Sequence, residues 1–300
     1  MSHFLSYKNY QTYHLGLRAF AFFTVAGPVT LSINAPHGRF SVGENQPDKS
    51  MLWRIWSSLS IDGTIAWILM ELPSPVSLLY TYSQENNILS LVDVPTPYTV
   101  LPVLYVAHYL NRAIISPLRT PSRSKSHVIV LVAATLFNLL NGSLNGTWLG
   151  VGARTGKISW STAPTSFYTG LAMFGLGLWG NIWHDEVLLQ IRKSKDHQPG
   201  DKPRYAIPYG GLYALVSFPN YLCEWFEWTG FSLAATSIMT PLQQELSLGH
   251  LLGIAIVPPV LFTLVEIAVM LPRAIRGHEW YHQKFDDYPR IRKAVIPFLV

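Results

Sequence analysis

The chain of 300 residues is apolar and sparsely charged, which argues against a soluble domain and for a membrane protein. Hydrophobic residues make up 49% of it and charged residues only 13%, whereas a typical globular chain is about 25% charged. The formal charge of +5 comes from basic residues dispersed between the apolar runs, so no basic face that would bind nucleic acid emerges. A single cysteine, Cys223, excludes an intrachain disulfide and a cysteine-based metal cluster.

Seven apolar segments follow one another along the chain, each near the ~20 residues that a helix needs to cross a bilayer. The second contains Pro73 and Pro75, and the pair Pro258-Pro259 interrupts the seventh. The sixth is the least apolar and is predicted to be broken or only partly embedded. We therefore predict an all-α membrane protein of about seven transmembrane helices, with residues 1–300 forming a single polytopic membrane domain. The segments are Leu15–Ile33, Ile61–Tyr82, Val100–Ile115, Val128–Val151, Ser166–Ile191, Gly210–Ala235 and Leu248–Leu271.

The basic residues alternate between the predicted connections. Of the 22 lysines and arginines, all except Lys8, Arg18, Arg154 and Lys157 lie in the first, third and fifth connections or in the carboxyl-terminal tail. Such an asymmetry follows the positive-inside rule. It predicts seven spans with the N-terminus outside or lumenal and the C-terminus cytoplasmic.

Ionisable side chains inside the apolar segments are candidate functional groups, because a charge at membrane depth is costly. In the second segment, Glu71 is the only acid between Ile65 and Tyr82. In the fifth, Asn181 and Asp185 lie four residues apart, on one face of a helix. A helix end that emerges into the headgroups would carry the same polar residues, and the spacing alone leaves that alternative open.

Two further segments carry polar stripes. The fourth holds Asn141 and Asn145 between glycines, a pattern more typical of helix–helix packing than of ligand contact. The third ends in a polar patch that, taken alone, is typical of an interfacial belt. That patch consists of His108, Tyr109, Asn111 and Arg112.

The sixth segment carries three polar side chains among aromatic residues. Asn220 and Glu224 are four residues apart and share a helical face, and Glu227 lies close to it. They mark either a functional site at membrane depth or an interfacial helix whose acids face water.

The carboxyl-terminal tail, HEWYHQKFDDYPRIRKAVIPFLV, allows two interpretations. It is either a solvated helix or a basic and aromatic surface that closes over a phosphate-bearing cofactor at the cytoplasmic face, where arginine can bind phosphate bidentately. Neither a Rossmann nor a P-loop motif is present. His278 and His282 lack a third ligand in view, so no metal is expected.

Two long motifs show a family resemblance. Tyr205–Ala235, YAIPYGGLYALVSFPNYLCEWFEWTGFSLAA, and the tail from His278 resemble the signature of the steroid 5α-reductase (3-oxo-5α-steroid 4-dehydrogenase) family. This signature occupies the carboxyl-terminal half, about residues 166–300, and a fungal-type member is expected. Shorter matches are Ala35–Phe40, Glu71–Ser74, His108-Tyr109 with Arg112, and Asn181-Ile182 with Asp185.

The resemblance implies a multi-pass reductase of the endoplasmic reticulum membrane that uses NADPH to reduce the C4=C5 double bond of a 3-oxo-Δ4 steroid or a related hydrophobic enone. It places Glu71 and Tyr109 on the substrate ketone as catalytic residues. We expect the lipid bilayer and a steroid or terpenoid as partners, no nucleic acid, and a monomer. The residues implied to surround NADPH are Asn181, Asp185, Arg192, Tyr205, Asn220, Glu224, Tyr281 and Arg292.

The implied chemistry suits these residue types. Hydride delivery to the β-carbon of an enone builds enolate charge on the ketone oxygen, so a hydrogen-bond donor placed there stabilises the transition state. A Tyr109 hydroxyl paired with a membrane-buried Glu71 can supply that donor. Several positions depart from the family pattern and put substrate geometry and cofactor affinity in question: Met70, Ser116, Ala206, Cys223 and Gly277.

Two other function classes stay open on the sequence. One is a membrane methyltransferase of the isoprenylcysteine type, which also combines spans with a polar carboxyl-terminal cofactor site. The other is a non-catalytic lipid-binding membrane protein. Glu71 together with Tyr109 favours the reductase, since a methyl transfer needs no pair that polarises a ketone.

Overall fold

The computed structural model describes residues 7–29, 56, 58–121, 123–193 and 205–300. This part of the chain is mostly helical, which confirms the predicted all-α class. The Ala35–Phe40 motif and the basic residues of the first connection lie outside the described residues, as do Lys195, Lys202 and Arg204 of the fifth. The described α-helices are α1 Tyr7–Val29, α2 Gly63–Glu71, α3 Pro73–Glu85, α4 Pro97–Leu110, α5 Ser116–Arg119, α6 Val128–Thr155, α7 Thr165–Arg192, α8 Pro219–Ser237, α9 Pro241–Glu245 and α10 Pro258–Lys284.

Short elements connect these helices. A π-turn, Asn111–Ile115, joins α4 to α5. Two small antiparallel ladders pair β1 (Ser60–Ile61) with β2 (Ser126–His127) and β3 (His250–Leu251) with β4 (Ile254–Ala255). In the first ladder Ser60 faces His127 and Ile61 faces Ser126, which ties the start of α2 to the start of α6. Within the described residues, the 3₁₀ turns are Ile88–Leu91, Trp160–Thr162 and Gly211–Ala214.

Two of the described helices, α6 and α10, are long and apolar enough to cross a membrane by length and composition. The helix bundle also shows the polarity expected of a membrane protein. Outward-facing side chains such as Leu15, Leu136 and Trp179 are apolar and exposed, whereas Asn141 and Glu227 are buried. Soluble monomers rarely expose large apolar patches, so this arrangement fits a lipid environment. The count of seven spans and the orientation of the termini remain predictions.

Close contact between α7 and α8 fixes the frame of the site. The two helices approach at Gly170, Gly177 and Gly230, where small residues allow backbones to meet. A Cβ atom added at Gly177 would lie 2.5 Å from the backbone nitrogen of Glu227, and one at Gly170 would lie 2.5 Å from the carbonyl oxygen of Gly230. The polar residues of α7 and α8 are therefore held against each other by backbone contact.

Prolines mark two helix boundaries within the predicted segments. The interruption predicted in the seventh segment at Pro258-Pro259 is confirmed, because the β3–β4 ladder precedes these prolines and α10 begins at them, then continues through Pro272. The amides of the first helical turn have no hydrogen-bond partner within the helix. A proline there loses no hydrogen bond by lacking its N–H, so it favours a helix start. Pro73 likewise begins α3 after a break at Leu72, which divides the second segment into two helices.

The break predicted in the sixth segment is confirmed. After the 3₁₀ turn at Gly211–Ala214, the chain passes through Leu215–Phe218 before α8 begins at Pro219. The interpretation of the tail as a solvated helix is wrong, because the chain beyond α10 folds back onto this passage. The amide of Ser217 donates to the carbonyl oxygen of Lys293 at 2.8 Å, and the amide of Lys293 donates to Leu215 at 2.9 Å.

Candidate active site

A cavity of about 230 Å³ opens where α2, the π-turn, α7 and the start of α8 meet. Six of the ten predicted site residues line it: Asn181, Asp185, Arg192, Tyr205, Asn220 and Glu224. They come from three separate stretches of chain, so the fold brings the fifth and sixth segments together as the resemblance implies. Glu71, Tyr109, Tyr281 and Arg292 are not among its lining residues.

Asp185 and Asn220 form one wall of the cavity. The Asn220 side-chain amide donates to Asp185 Oδ1 at 2.9 Å. Asn220 Oδ1 is buried and has no hydrogen-bond partner among the described groups. Buried polar atoms are normally paired, so this oxygen is free to accept a hydrogen bond from a ligand.

Five of the residues that line the cavity are arginines. Arg123 stacks over Trp67 at 4.5 Å, and its buried Nε has no hydrogen-bond partner in the described part of the chain. Burial, together with the nearby Arg192 charge, lowers the pKa of Arg123 to about 10. An anion bound beside the guanidinium would favour its charged form and so offset both causes, which makes this wall suited to phosphate. The lining arginines are Arg112, Arg119, Arg123, Arg192 and Arg273.

Arg112 joins two acids that the sequence assigned to different roles. Its Nε lies 3.2 Å from Glu71 Oε1, and its Nη1 lies 2.8 Å from Glu224 Oε1. Both carboxylates are buried, and the π-turn that carries Arg112 directs the guanidinium between them. Single π-turns within α-helices are frequent at functional sites. The polar patch at the end of the third segment, for which an interfacial belt was one interpretation, therefore contains Arg112, the link between Glu71 and the cavity.

His108 extends the network of buried polar contacts into the bundle. Its Nδ1 lies 2.7 Å from Glu227 Oε1, and its Nε2 lies 3.7 Å from Glu224 Oε1. Glu227 is fully buried, so the alternative of an interfacial helix whose acids face water is wrong for this residue. The structure gives it a specific partner 119 positions away in the chain, which periodicity within one helix cannot reveal.

Tyr109 is held by asparagines of α6. Its hydroxyl donates to Asn138 Oδ1 at 3.3 Å and accepts from Asn141 Nδ2 at 3.1 Å. Its ring stacks on Tyr105 with the centroids 4.8 Å apart. No direct hydrogen bond between Tyr109 and Glu71 is present among the described residues. The stripe that the sequence assigned to helix packing therefore also orients a predicted catalytic residue.

The two remaining predicted residues lie in the tail, outside the cavity lining. Tyr281 stacks on Tyr288 with the ring centroids 5.1 Å apart. The Arg292 guanidinium lies between the rings of Tyr209 and Tyr288, at 5.1 and 5.0 Å from their centroids. Arg292 is only 3% exposed, and its Nε and Nη1 are buried without a hydrogen-bond partner among the described groups. It is therefore a second cation with hydrogen-bonding capacity left for an anion.

Sequence reasoning missed several groups that build the site. Asn138, which bonds both Tyr109 and the backbone carbonyl of Met70, was not singled out, because amides in an apolar run carry no motif. Arg119, Arg123 and Arg273 were counted only as basic residues flanking the membrane. The alternation of basic residues between the connections predicted which side of the membrane these arginines lie on. It gave no information on whether they meet at one cavity.

Comparison with known proteins identifies the family. Residues 124–242 and 247–300 match the model of the 3-oxo-5-alpha-steroid 4-dehydrogenase family. An uncharacterized protein of Schizosaccharomyces pombe is 36% identical over 296 residues, covering 91% of this chain and 94% of that protein. The 3-oxo-5-alpha-steroid 4-dehydrogenase 1 of Rattus norvegicus is 32% identical over 280 residues, 93% of this chain and 91% of the rat protein. The steroid 5-alpha-reductase DET2 of Solanum lycopersicum is 36% identical over 247 residues, 81% and 83% of the two chains.

These matches cover more than half of the chain by the family model and nearly all of it by the rat relative. The family model covers the cavity residues of α7 and α8 and the folded tail. The chain belongs to the 3-oxo-5-alpha-steroid 4-dehydrogenase (steroid 5α-reductase) family.

Proposed function

We propose that the chain is an oxidoreductase that uses NADPH to reduce the C4=C5 double bond of a 3-oxo-Δ4 steroid or a related hydrophobic enone. The names of the rat and tomato relatives support this activity class. The observation that carries the proposal is the Arg112 bridge, which connects Glu71, at the proposed ketone site, to Glu224 in the wall of an arginine-lined cavity. One network of charges thus connects a substrate end to a cofactor end.

The donor set of the cavity fits a phosphate-bearing dinucleotide. Arg123, Arg192 and Arg273 would hold its phosphates, and Arg292 carries further unpaired donors in the adjoining tail. Asn220, with its unpartnered oxygen, would accept a hydrogen bond from a polar edge of the cofactor. Bound NADPH supplies the hydride.

Tyr109 is the proposed donor to the ketone oxygen. Asn141 donates to the Tyr109 oxygen, which leaves the hydroxyl proton to point away from Asn141. The bond from that hydroxyl to Asn138 is long, at 3.3 Å, and therefore weak. Exchanging it for a bond to the substrate ketone costs little in the ground state, while the bond to a developing enolate strengthens in the transition state.

Glu71 is proposed to act beside Tyr109 on the ketone. Its carboxylate is fixed by Arg112 and buried, so its position does not depend on solvent. As the β-carbon accepts a hydride, charge moves to the ketone oxygen, and the α-carbon then takes up a proton. One hydride and one proton are consumed for each double bond reduced.

A membrane location completes the proposal. We place the chain in the endoplasmic reticulum membrane as a monomer with seven spans, the N-terminus lumenal and the C-terminus cytoplasmic. Support comes from the cavity, whose arginines all belong to segments that the positive-inside rule assigns to the cytoplasmic side. The proposed NADPH site would therefore open towards the cytoplasm.

The test is to supply membranes containing the full chain with NADPH and a panel of enones headed by 3-oxo-Δ4 steroids. We expect NADPH oxidation matched mole for mole by a product that carries two more hydrogen atoms, with no reaction in membranes that lack the chain. Absence of oxidation with every enone, together with binding of S-adenosylmethionine, would contradict the reductase and favour the methyltransferase class.

A further inference from the structure

Glu266 is a buried acid that the proposed mechanism does not use. It lies in α10, one of the two described helices long and apolar enough to cross a membrane, and it is 7% exposed. Its Oε2 is buried without a hydrogen-bond partner, and no hydrogen bond or ion pair reaches the residue from any described group. A carboxyl group in apolar surroundings is costly unless something pairs with it, so its presence calls for a function.

The position of Glu266 on α10 points towards the proposed substrate region. It follows Phe262 by four residues and Thr263 by three, so it shares their helical face. The Phe262 ring lies 4.7 Å from that of Trp228, and the Thr263 hydroxyl donates to the Trp228 carbonyl oxygen at 3.1 Å. Further along the same helix, Arg273 lines the cavity. Glu266 therefore lies between the aromatic interior and the arginine-lined end.

The surrounding polar groups have partners of their own. The carboxyl of Glu266 interacts electrostatically with Tyr109, Arg112 and Glu224. Arg112 is already committed to two acids, and Thr263 bonds Ser232 at 3.0 Å. Glu266 thus lies near the proposed catalytic groups but makes no hydrogen bond or ion pair that would hold them in position.

We propose that Glu266 is a specificity-determining residue that hydrogen-bonds a hydroxyl group of the hydrophobic substrate. The proposal rests on the proposed function, which brings the substrate ketone to Tyr109. A hydroxyl suits Glu266 because it both donates and accepts, so it pairs with the carboxyl in either protonation state. The substrate class is accordingly a 3-oxo-Δ4 steroid or related enone that carries a hydroxyl group in addition to the ketone.

Such a contact discriminates strongly between substrates. A buried group built to bond a hydroxyl is left unpaired by an analogue that lacks it, at a cost of about 1–3 kcal/mol. That cost corresponds to a preference of about 5- to 150-fold in kcat/KM for the hydroxylated substrate.

The experiment compares matched enones that differ only in one hydroxyl, varied in position around the steroid or terpenoid body. Wild type, Glu266→Leu, Glu266→Gln and Thr263→Val are assayed in membranes. The purified full chain gives each steroid Kd by quenching of tryptophan fluorescence. We expect Glu266→Leu to abolish the preference of wild type for the hydroxylated enone, because KM rises only for the hydroxylated member of each pair. Glu266→Gln, which keeps a donor and an acceptor, is expected to retain most of it.

Stability separates a ligand contact from a structural role. Because Glu266 has no partner in the described structure, Glu266→Leu is expected to melt no lower than wild type, whereas Thr263→Val melts lower but keeps the substrate preference. Equal loss with both members of a pair, accompanied by a lower Tm, would overturn the assignment. So would a preference that survives in Glu266→Leu, or a wild type that shows none for any hydroxyl position.

The binding measurement keeps this proposal separate from the proposed function. If wild type reduces no enone, the reductase assignment fails, but the Kd ratio between matched steroids still decides the role of Glu266. A ratio that falls to about 1 in Glu266→Leu supports the contact, and an unchanged ratio overturns it.

Discussion

The cavity wall and the Tyr109 hydroxyl differ in how their buried polar atoms are paired. In the cavity wall, Arg123 and Asn220 keep buried atoms without a partner among the described groups. Around Tyr109, the hydroxyl is held by Asn138 and Asn141 of a single helix. The difference indicates that the first region is prepared for a charged ligand that comes and goes. The second is prepared to hold one side chain in a fixed orientation.

The largest effect is expected where the two regions meet, at Arg112. Arg112→Met would leave both Glu71 and Glu224 buried without their shared cation. Removing one partner of a buried ion pair costs about 3–5 kcal/mol, so we expect a large fall in Tm and loss of all turnover. The measurement is thermal unfolding of the full chain in detergent.

Arg119→Met is the matched control for this change. Arg119 pairs with Glu186 at 2.7 Å, but its side chain is 45% exposed. Exposed pairs contribute at most about 1 kcal/mol, so this variant should unfold close to wild type. Equal destabilisation by the two substitutions would show that the Arg112 bridge has no special place in the fold.

A smaller effect is expected inside the bundle, at Asn141. Asn141→Leu removes the donor that orients the Tyr109 hydroxyl and also the bond to Tyr105 at 2.7 Å. We expect kcat to fall about 10-fold or more, because the Tyr109 hydroxyl stabilises the transition state only when it is correctly oriented. KM for NADPH should stay unchanged. Steady-state kinetics with both substrates varied will measure this split. A raised KM for NADPH with normal kcat would contradict the assignment of this region to orientation.

The smallest effect is expected at the cavity wall, at Arg123. Arg123→Gln should raise KM for NADPH about 10-fold and leave kcat unchanged, because it removes one of several cations. In wild type, the pKa of about 10 means that this cation is lost as the pH rises through 10, so NADPH binding weakens there. The weakening should be shallower in Arg123→Gln. Titration of NADPH against both proteins at increasing pH gives the comparison, and identical affinities would remove Arg123 from the site.

The sequence predicted the cavity wall better than the interior, for a physical reason. Asn220 and Glu224, and likewise Asn181 and Asp185, are four residues apart, so helix geometry alone aligned them. The partners of Arg112 lie 41 and 112 positions away, and only the packed fold brings them together. Asn138 and Glu266 belong to no motif, and their role depends on neighbours from other helices. The prolines at the start of α10 were predicted to interrupt the seventh segment, and that they also begin a helix follows from local geometry.

The central claim is that Glu71 and Tyr109 act on the ketone while the cavity binds NADPH. The most direct measurement is turnover and NADPH affinity on the same preparations of wild type, Glu71→Gln and Tyr109→Phe. The account predicts that turnover of a 3-oxo-Δ4 steroid falls by about 100-fold or more in Tyr109→Phe and is lost in Glu71→Gln, with NADPH affinity retained in both. Full activity in either variant would contradict it.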